Sequence, residues 1–213
     1  MKMSYRPYQT EDDFWRMRDF LRRVYLLNGR RERSWHVCRL DYARWHTLIN
    51  IAHLTLADVV TLWEDDGQLV AFVMPDGGRG EAHLCVDPTR QTPALEEEML
   101  DLAEEQLAEI QDDGAHRLIV WSPEANTLRR QMLVRRGYAT DDWPEHQWHR
   151  DLGAPLPDAP LAAGFAIRPL GDGLELLERC YASGLGFHEG DIRVAVDNRD
   201  DPAWYRNIQT APL

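Results

Sequence analysis

No apolar run in this chain approaches the roughly 18 residues that a membrane helix needs, and the N-terminus MKMSYRPYQTEDDF lacks the apolar core of a signal peptide. The two absences argue against a membrane protein and make a cytoplasmic location the expectation. Cysteine is scarce: Cys38, Cys85 and Cys180 are odd in number and far apart, which argues against a disulfide framework and reads as reduced, mostly buried thiols. Basic residues are in deficit, 24 against 36 acidic ones for a net charge of -12, so the surface repels nucleic acid and anionic lipid unless a basic patch intervenes. The one dense basic cluster, Arg22, Arg23, Arg30, Arg31 and Arg33 near Trp35, reads as a solvated helix end. No Gly-x-Ser-x-Gly, phosphate-loop or dinucleotide signature occurs. His146 and His149 lack the Cys or carboxylate spacing of a zinc site, so no metal is expected, and with Trp143 and Trp148 they read as strand packing.

What is present alternates between strand and helix. Tyr5 to Tyr8 is a short strand, followed by Thr10 and Asp13 at capping-box-like spacing and an apolar stripe Phe14, Met17, Leu21, Val24 and Tyr25 that predicts a helix ending near Gly29. Trp45, Leu48, Ile49 and Ala52 carry a second helix. Val59 to Glu64 and Leu69 to Met74 read as a hairpin turned by Asp65, Asp66 and Gly67. The strand Glu81 to Val86 then leads through Thr92 and Pro93 into a helix whose face is Leu95, Met99, Leu102, Leu107 and Ile110, its many acids reading as a solvated surface. Leu118 to Trp121 reads as a buried strand. A last helix, Asn126 to Arg136, places Leu128, Met132 and Leu133 inwards and stops at Gly137. The expected fold class is α/β (α+β), a mixed layer structure of strands and helices.

At 213 residues the chain has room for one large domain or one and a half smaller ones. Residues 151–164, with three prolines and two glycines, read as a linker between a first domain, 1–150, and a shorter segment, 165–213. Ile167-Arg-Pro-Leu170 echoes Tyr5-Arg-Pro-Tyr8, again ahead of a helical pattern with Leu174, Leu177 and Tyr181, so the segment reads as a partial second copy cut short at Leu213.

The element order and three local patterns resemble the GNAT superfamily of acetyl-CoA-dependent N-acyltransferases over about residues 4–150. Glu81-x-x-Leu84-x-Val86-x-Pro88 is similar to the family's central strand and its exit, Gln91 falls where its phosphate loop starts, and Asn126 followed by Gly137-Tyr138 is similar to its Asn helix. The resemblance implies a mixed, mostly antiparallel central sheet flanked by helices, and acetyl transfer to a primary amine, on a small molecule or a peptide. It implies Glu81 or His83 as general base, and Leu84, Val86, Gln91 and Asn126 as the acetyl-CoA contacts. Strand alternation puts Glu81, His83 and Cys85 on one face and Ala82, Leu84 and Val86 on the other.

The departures are as informative. Ala94 and Glu96 stand where the family's loop carries glycines, and Leu133 stands where its acidic tyrosine would be. Glu96, Glu97 and Glu98 load the start of the helix with negative charge, so acetyl-CoA is expected to bind weakly or not at all. The chain resembles the degenerate leading half of a tandem GNAT protein, and the alternative to an acyltransferase is a non-catalytic GNAT-like domain that binds a partner domain or small ligand. A second copy of the chain is a possible partner through the shorter segment.

Overall fold

The computed structural model describes residues 3–196 apart from 147, 149, 157, 172, 189, 191, 194 and 195. It divides into two units, 1–143 and 144–213. The first holds a five-stranded sheet in the order β1 (Ser4–Pro7), β2 (Thr61–Asp65), β3 (Gln68–Met74), β4 (Glu81–Val86) and β7 (Ile119–Trp121). The first three neighbouring pairs are antiparallel, and β4 with β7 is parallel. This is the mixed, mostly antiparallel sheet that the sequence resemblance implies, and Glu81–Val86 has the predicted limits.

Helices cover both faces, as the near-continuous apolar runs of β3 and β4 require. On one side lies α1 (Glu11–Leu27), which stacks Phe20 edge-on against Phe72 at 5.5 Å. Its start is held by the expected capping box between Thr10 and Asp13. Beside it α2 (Val37–Tyr42) runs into ten residues of π-helix, Ala43–Ala52, which ends at His53 in the left-handed region and precedes a short α3 (Leu56–Val59). The π-helix explains why the apolar spacing misleads here: Ile49, placed on the inner face by a 3.6-residue period, is exposed, while His46 and Thr47 are buried.

The other side carries α4 (Pro93–Leu107) and α5 (Thr127–Arg135). The helix stops at Leu107 rather than Ile110, which lies exposed in a two-stranded ribbon of β5 (Glu109–Ile110) and β6 (His116–Arg117). Much of the acidic face of α4 is not simply solvated. Arg136 binds Asp101 at 2.7 Å and Glu104 at 2.6 Å, Arg135 binds Glu97 at 3.1 Å, and the Trp63 indole donates to Glu98 at 2.8 Å. Strand β7 is an edge rather than the buried strand expected, with Ile119 exposed.

In the second unit, α6 (Leu174–Phe187) realises the predicted helical pattern. Residues Ile167 to Leu170 form no strand, so the predicted strand echo is not realised there. What does recur is a hydrogen-bond motif. In the first unit the Arg6 guanidinium donates to the Pro7 carbonyl and to Asp13, whose carboxylate also accepts from the Gln9 amide. In the second, Arg168 donates to the Pro169 carbonyl and to Glu175, which also accepts from the Gly171 amide. The offsets of one, three and seven residues are the same. Trp143 and Trp148, expected to pack in a strand, are 84% and 91% exposed in segments without strand structure.

Candidate functional site

The site is built around the end of β4. The Asp87 amide donates to the Val70 carbonyl at 2.9 Å, so on this antiparallel ladder the odd-numbered residues of β4 bond to β3 and the even ones, Leu84 and Val86, aim their backbone groups the other way. On that other side β7 pairs only with Glu81, Ala82 and His83. The two strands part there, leaving the Val86 end of β4 without a neighbouring ladder.

Side chains of β4 split as alternation requires. Glu81 lies on the side of α2 and the π-helix, and His83 packs on the same face against Trp35. Glu81 is held by two donors: the Gly77 amide reaches Oε1 at 2.6 Å and the Trp121 indole reaches Oε2 at 3.1 Å. A carboxylate has about four acceptor positions, so Glu81 keeps capacity for a ligand. Beside it opens a cavity of about 640 Å³ lined by Cys38, Arg39, Tyr42, Thr47, Asp76 and Glu81.

His83 is differently placed. It is 8% exposed and packs against Trp35 at 4.5 Å and, stacked, against Trp121 at 5.6 Å. Its Nε2 has no partner among the described residues. Burial, with the guanidinium groups of Arg39 and Arg129 adding to it, pushes its pKa well below the usual imidazole range. A ring so reluctant to take a proton is a poor general base, and of the two candidates Glu81 is the better placed. Because the unfolded chain binds the proton first, His83 makes stability fall as pH drops below about 6.5, by up to ~1.4 kcal/mol per pH unit. His83→Phe is expected to flatten the difference between urea melts at pH 7 and pH 5; an unchanged difference would count against a neutral, buried ring.

Gln91 and Asn126, far apart in sequence, do meet. The Gln91 amide donates to Asn126 Oδ1 at 3.1 Å and to Glu96 Oε1 at 2.5 Å, and Asn126 caps α5 by accepting from the Arg129 amide at 3.2 Å. Glu96, expected to confront a ligand with bare charge, is 0% exposed and gripped by Arg129 through Nε at 2.8 Å and Nη2 at 2.9 Å. Arg129, 3% exposed, completes a closed polar cluster between the starts of α4 and α5. The sequence reading put Leu128 on the inner face; Arg129 shares that face with Met132 and Leu133 at helical spacing. Trp35 and Trp121, which enclose His83, were also missed.

No family model and no curated protein matches the chain. Among solved structures it is similar to a predicted acetyltransferase with acetyl-CoA from Clostridium acetobutylicum, at 18% identity and a TM-score of 0.46 over 68% of this chain and 96% of that one. It is similar also to a ribosomal-protein-alanine N-acetyltransferase from Brucella melitensis, at 15% identity and 0.39 over 70% and 99%. A tandem GNAT protein from the clavulanic acid biosynthesis pathway is matched at 18% identity and 0.48, over 99% of this chain and 66% of that one. The matched structures are GNAT acetyltransferases.

The coenzyme site that the sequence resemblance implies would need an open strand edge for pantetheine and bare helix amides for diphosphate. At Leu84 and Val86 the strand edge has no ladder partner. The start of α4 offers few such amides: Pro93 has no N–H, and the Leu95 amide already donates to the Thr92 hydroxyl. Charge is not the obstacle, because Glu96 is neutralised by Arg129. The misfit lies in the missing amides.

Proposed function

We propose that this chain is an N-acyltransferase protein of the tandem GNAT kind, in which residues 1–150 supply an acceptor site for a primary amine and residues 165–213 open a second copy of the fold. The observation that carries it is Glu81, held by two donors on the wall of a cavity at the start of β4. An amine entering there lies beside a carboxylate able to take its proton, and the acyl donor would be held further along the same strand, where Leu84 and Val86 have no ladder partner. The recurrence of the Arg6 motif at Arg168 supports the second copy. A cytoplasmic setting is part of this reading.

The closed start of α4 favours a second reading, a GNAT-like domain that binds an amine or a partner without acetyl-CoA. One assay separates the two. The full chain is incubated with acetyl-CoA and a panel of primary amines, and thiol release and thermal shift are read together. Amine-dependent thiol release that is lost in Glu81→Gln supports the transferase. A chain that shows neither coenzyme-dependent stabilisation nor thiol release, yet is stabilised by an amine, is the non-catalytic domain. Ligand at 100 times its dissociation constant raises stability by about 2.7 kcal/mol, well within reach of a melting curve.

A further inference from the structure

The same cavity carries a nucleophile that the amine reading does not use. Cys38 lines it together with Glu81 and, contrary to the buried thiol expected from sequence, is exposed. Its Sγ lies 3.1 Å from Nδ1 of His36, within reach of a proton transfer. Cys85 and Cys180 are both buried. The placement follows from the start of α2: His36 is the N-cap residue, its Nδ1 also accepts the Cys38 amide at 3.3 Å, and the capping geometry brings thiol and imidazole together. The imidazole in turn is fixed edge-on against Tyr25 at 5.3 Å. A thiol, a base that is itself oriented, and a cavity that could hold a reacting group are the parts of an activated nucleophile.

We propose that Cys38 is an acyl-accepting nucleophile of this cavity, deprotonated by His36 and acylated by small thioesters. The inference rests on the acyl-transfer reading only for the class of donor. Partial desolvation of the otherwise exposed sulfur, with Glu32 close by, pushes the Cys38 thiol up, so it is protonated at rest and needs a base at the moment of attack. The sulfur adds to the thioester carbonyl as its proton passes to His36 Nδ1. The bond between the carbonyl carbon and the departing sulfur then breaks, and the leaving thiolate takes the proton back. One thioester is exchanged for another, with no oxidant or reductant involved. A donor without a nucleotide makes no demand on the closed start of α4, which is the part of the coenzyme site this chain does not provide. An amine beside Glu81 is then in the same cavity as the acyl group it would receive.

The test is intact-mass and peptide-mass analysis of the full chain after incubation with S-acetyl-N-acetylcysteamine. One acetyl group per chain on Cys38 is expected, and none in Cys38→Ser. His36→Asn keeps an acceptor at the helix cap, so the fold is retained, yet it removes the base, and acetylation is expected to slow by roughly a hundredfold. The chain has a single lysine, Lys2, so background amine labelling is readily separated. Absence of label on Cys38, equal label on Cys85 or Cys180 in folded protein, or an undiminished rate in His36→Asn would overturn the proposal. Amine acetylation that persists in Cys38→Ser without any label on the wild-type thiol would sink this proposal alone. A labelled Cys38 with no amine product would instead leave it standing and remove the N-acyltransferase reading.

Discussion

Glu96→Ala is expected to destabilise the first unit by about 3–5 kcal/mol, because it strips the partner from a buried guanidinium. Arg129 is 3% exposed and spends two of its N–H groups on Glu96. With the carboxylate gone, that charge stays buried in a site where water cannot replace what was lost. Gln91 loses an acceptor in the same step. Glu96→Gln keeps the shape and some hydrogen bonding, so its cost falls between those of alanine and wild type. The double variant Glu96→Leu with Arg129→Met removes both charges and substitutes side chains of similar size, and replacements of buried ion pairs by packed apolar groups are commonly neutral or stabilising. Urea melts of the four proteins at pH 7 settle the matter. A loss below about 1 kcal/mol in Glu96→Ala would mean that the pair is not formed as described.

This pair also marks how far sequence reasoning carries. The strands and long helices were legible because their signals are local: alternation in Glu81 to Val86, a capping box at Thr10 and Asp13, proline at the start of α4, Gly137 with φ of 85° at the end of α5. The π-helix was not, since its extra residue per turn moves side chains off the face that a 3.6-residue period assigns. Gln91 and Asn126 were found by resemblance to a coenzyme site, and the structure does bring them together. It uses them differently, one to tie a loop and the other to cap a helix. Glu96 was read as a lone charge because its partner lies thirty-three residues away, and nothing in the intervening sequence announces the pairing. The same limit hid the cage around His83, whose two tryptophans come from a loop and from β7, and the contact of Cys38 with His36, which depends on the exact start of α2.

Asp13→Asn is expected to cost about 3 kcal/mol at neutral pH, on the scale of a charge-assisted network broken at a nearly buried carboxylate. Asp13 receives Arg6 at 2.6 and 2.9 Å, Arg16 at 3.3 Å, and the amides of Gln9 and Thr10 at 3.0 and 3.2 Å. Arg6, more than the two amides, holds the carboxyl well below the usual carboxylate range, and burial opposes it without prevailing. A carboxyl whose folded pKa is depressed contributes stability that is fully present above its unfolded value, near 3.9, and is lost as pH falls towards the folded one. The gap between wild type and Asp13→Asn should therefore be constant from pH 7 to about pH 5 and close progressively below pH 4. Glu175 is the internal control, since it repeats the connectivity of Asp13, with Arg168 and the Gly171 amide as donors, at an exposed position. Water screens that copy of the motif, so Glu175→Gln should leave the melting curve unchanged at every pH. A gap for Asp13→Asn that is as wide at pH 3 as at pH 7, or an equal effect at Glu175, would show that burial is not what separates the two copies.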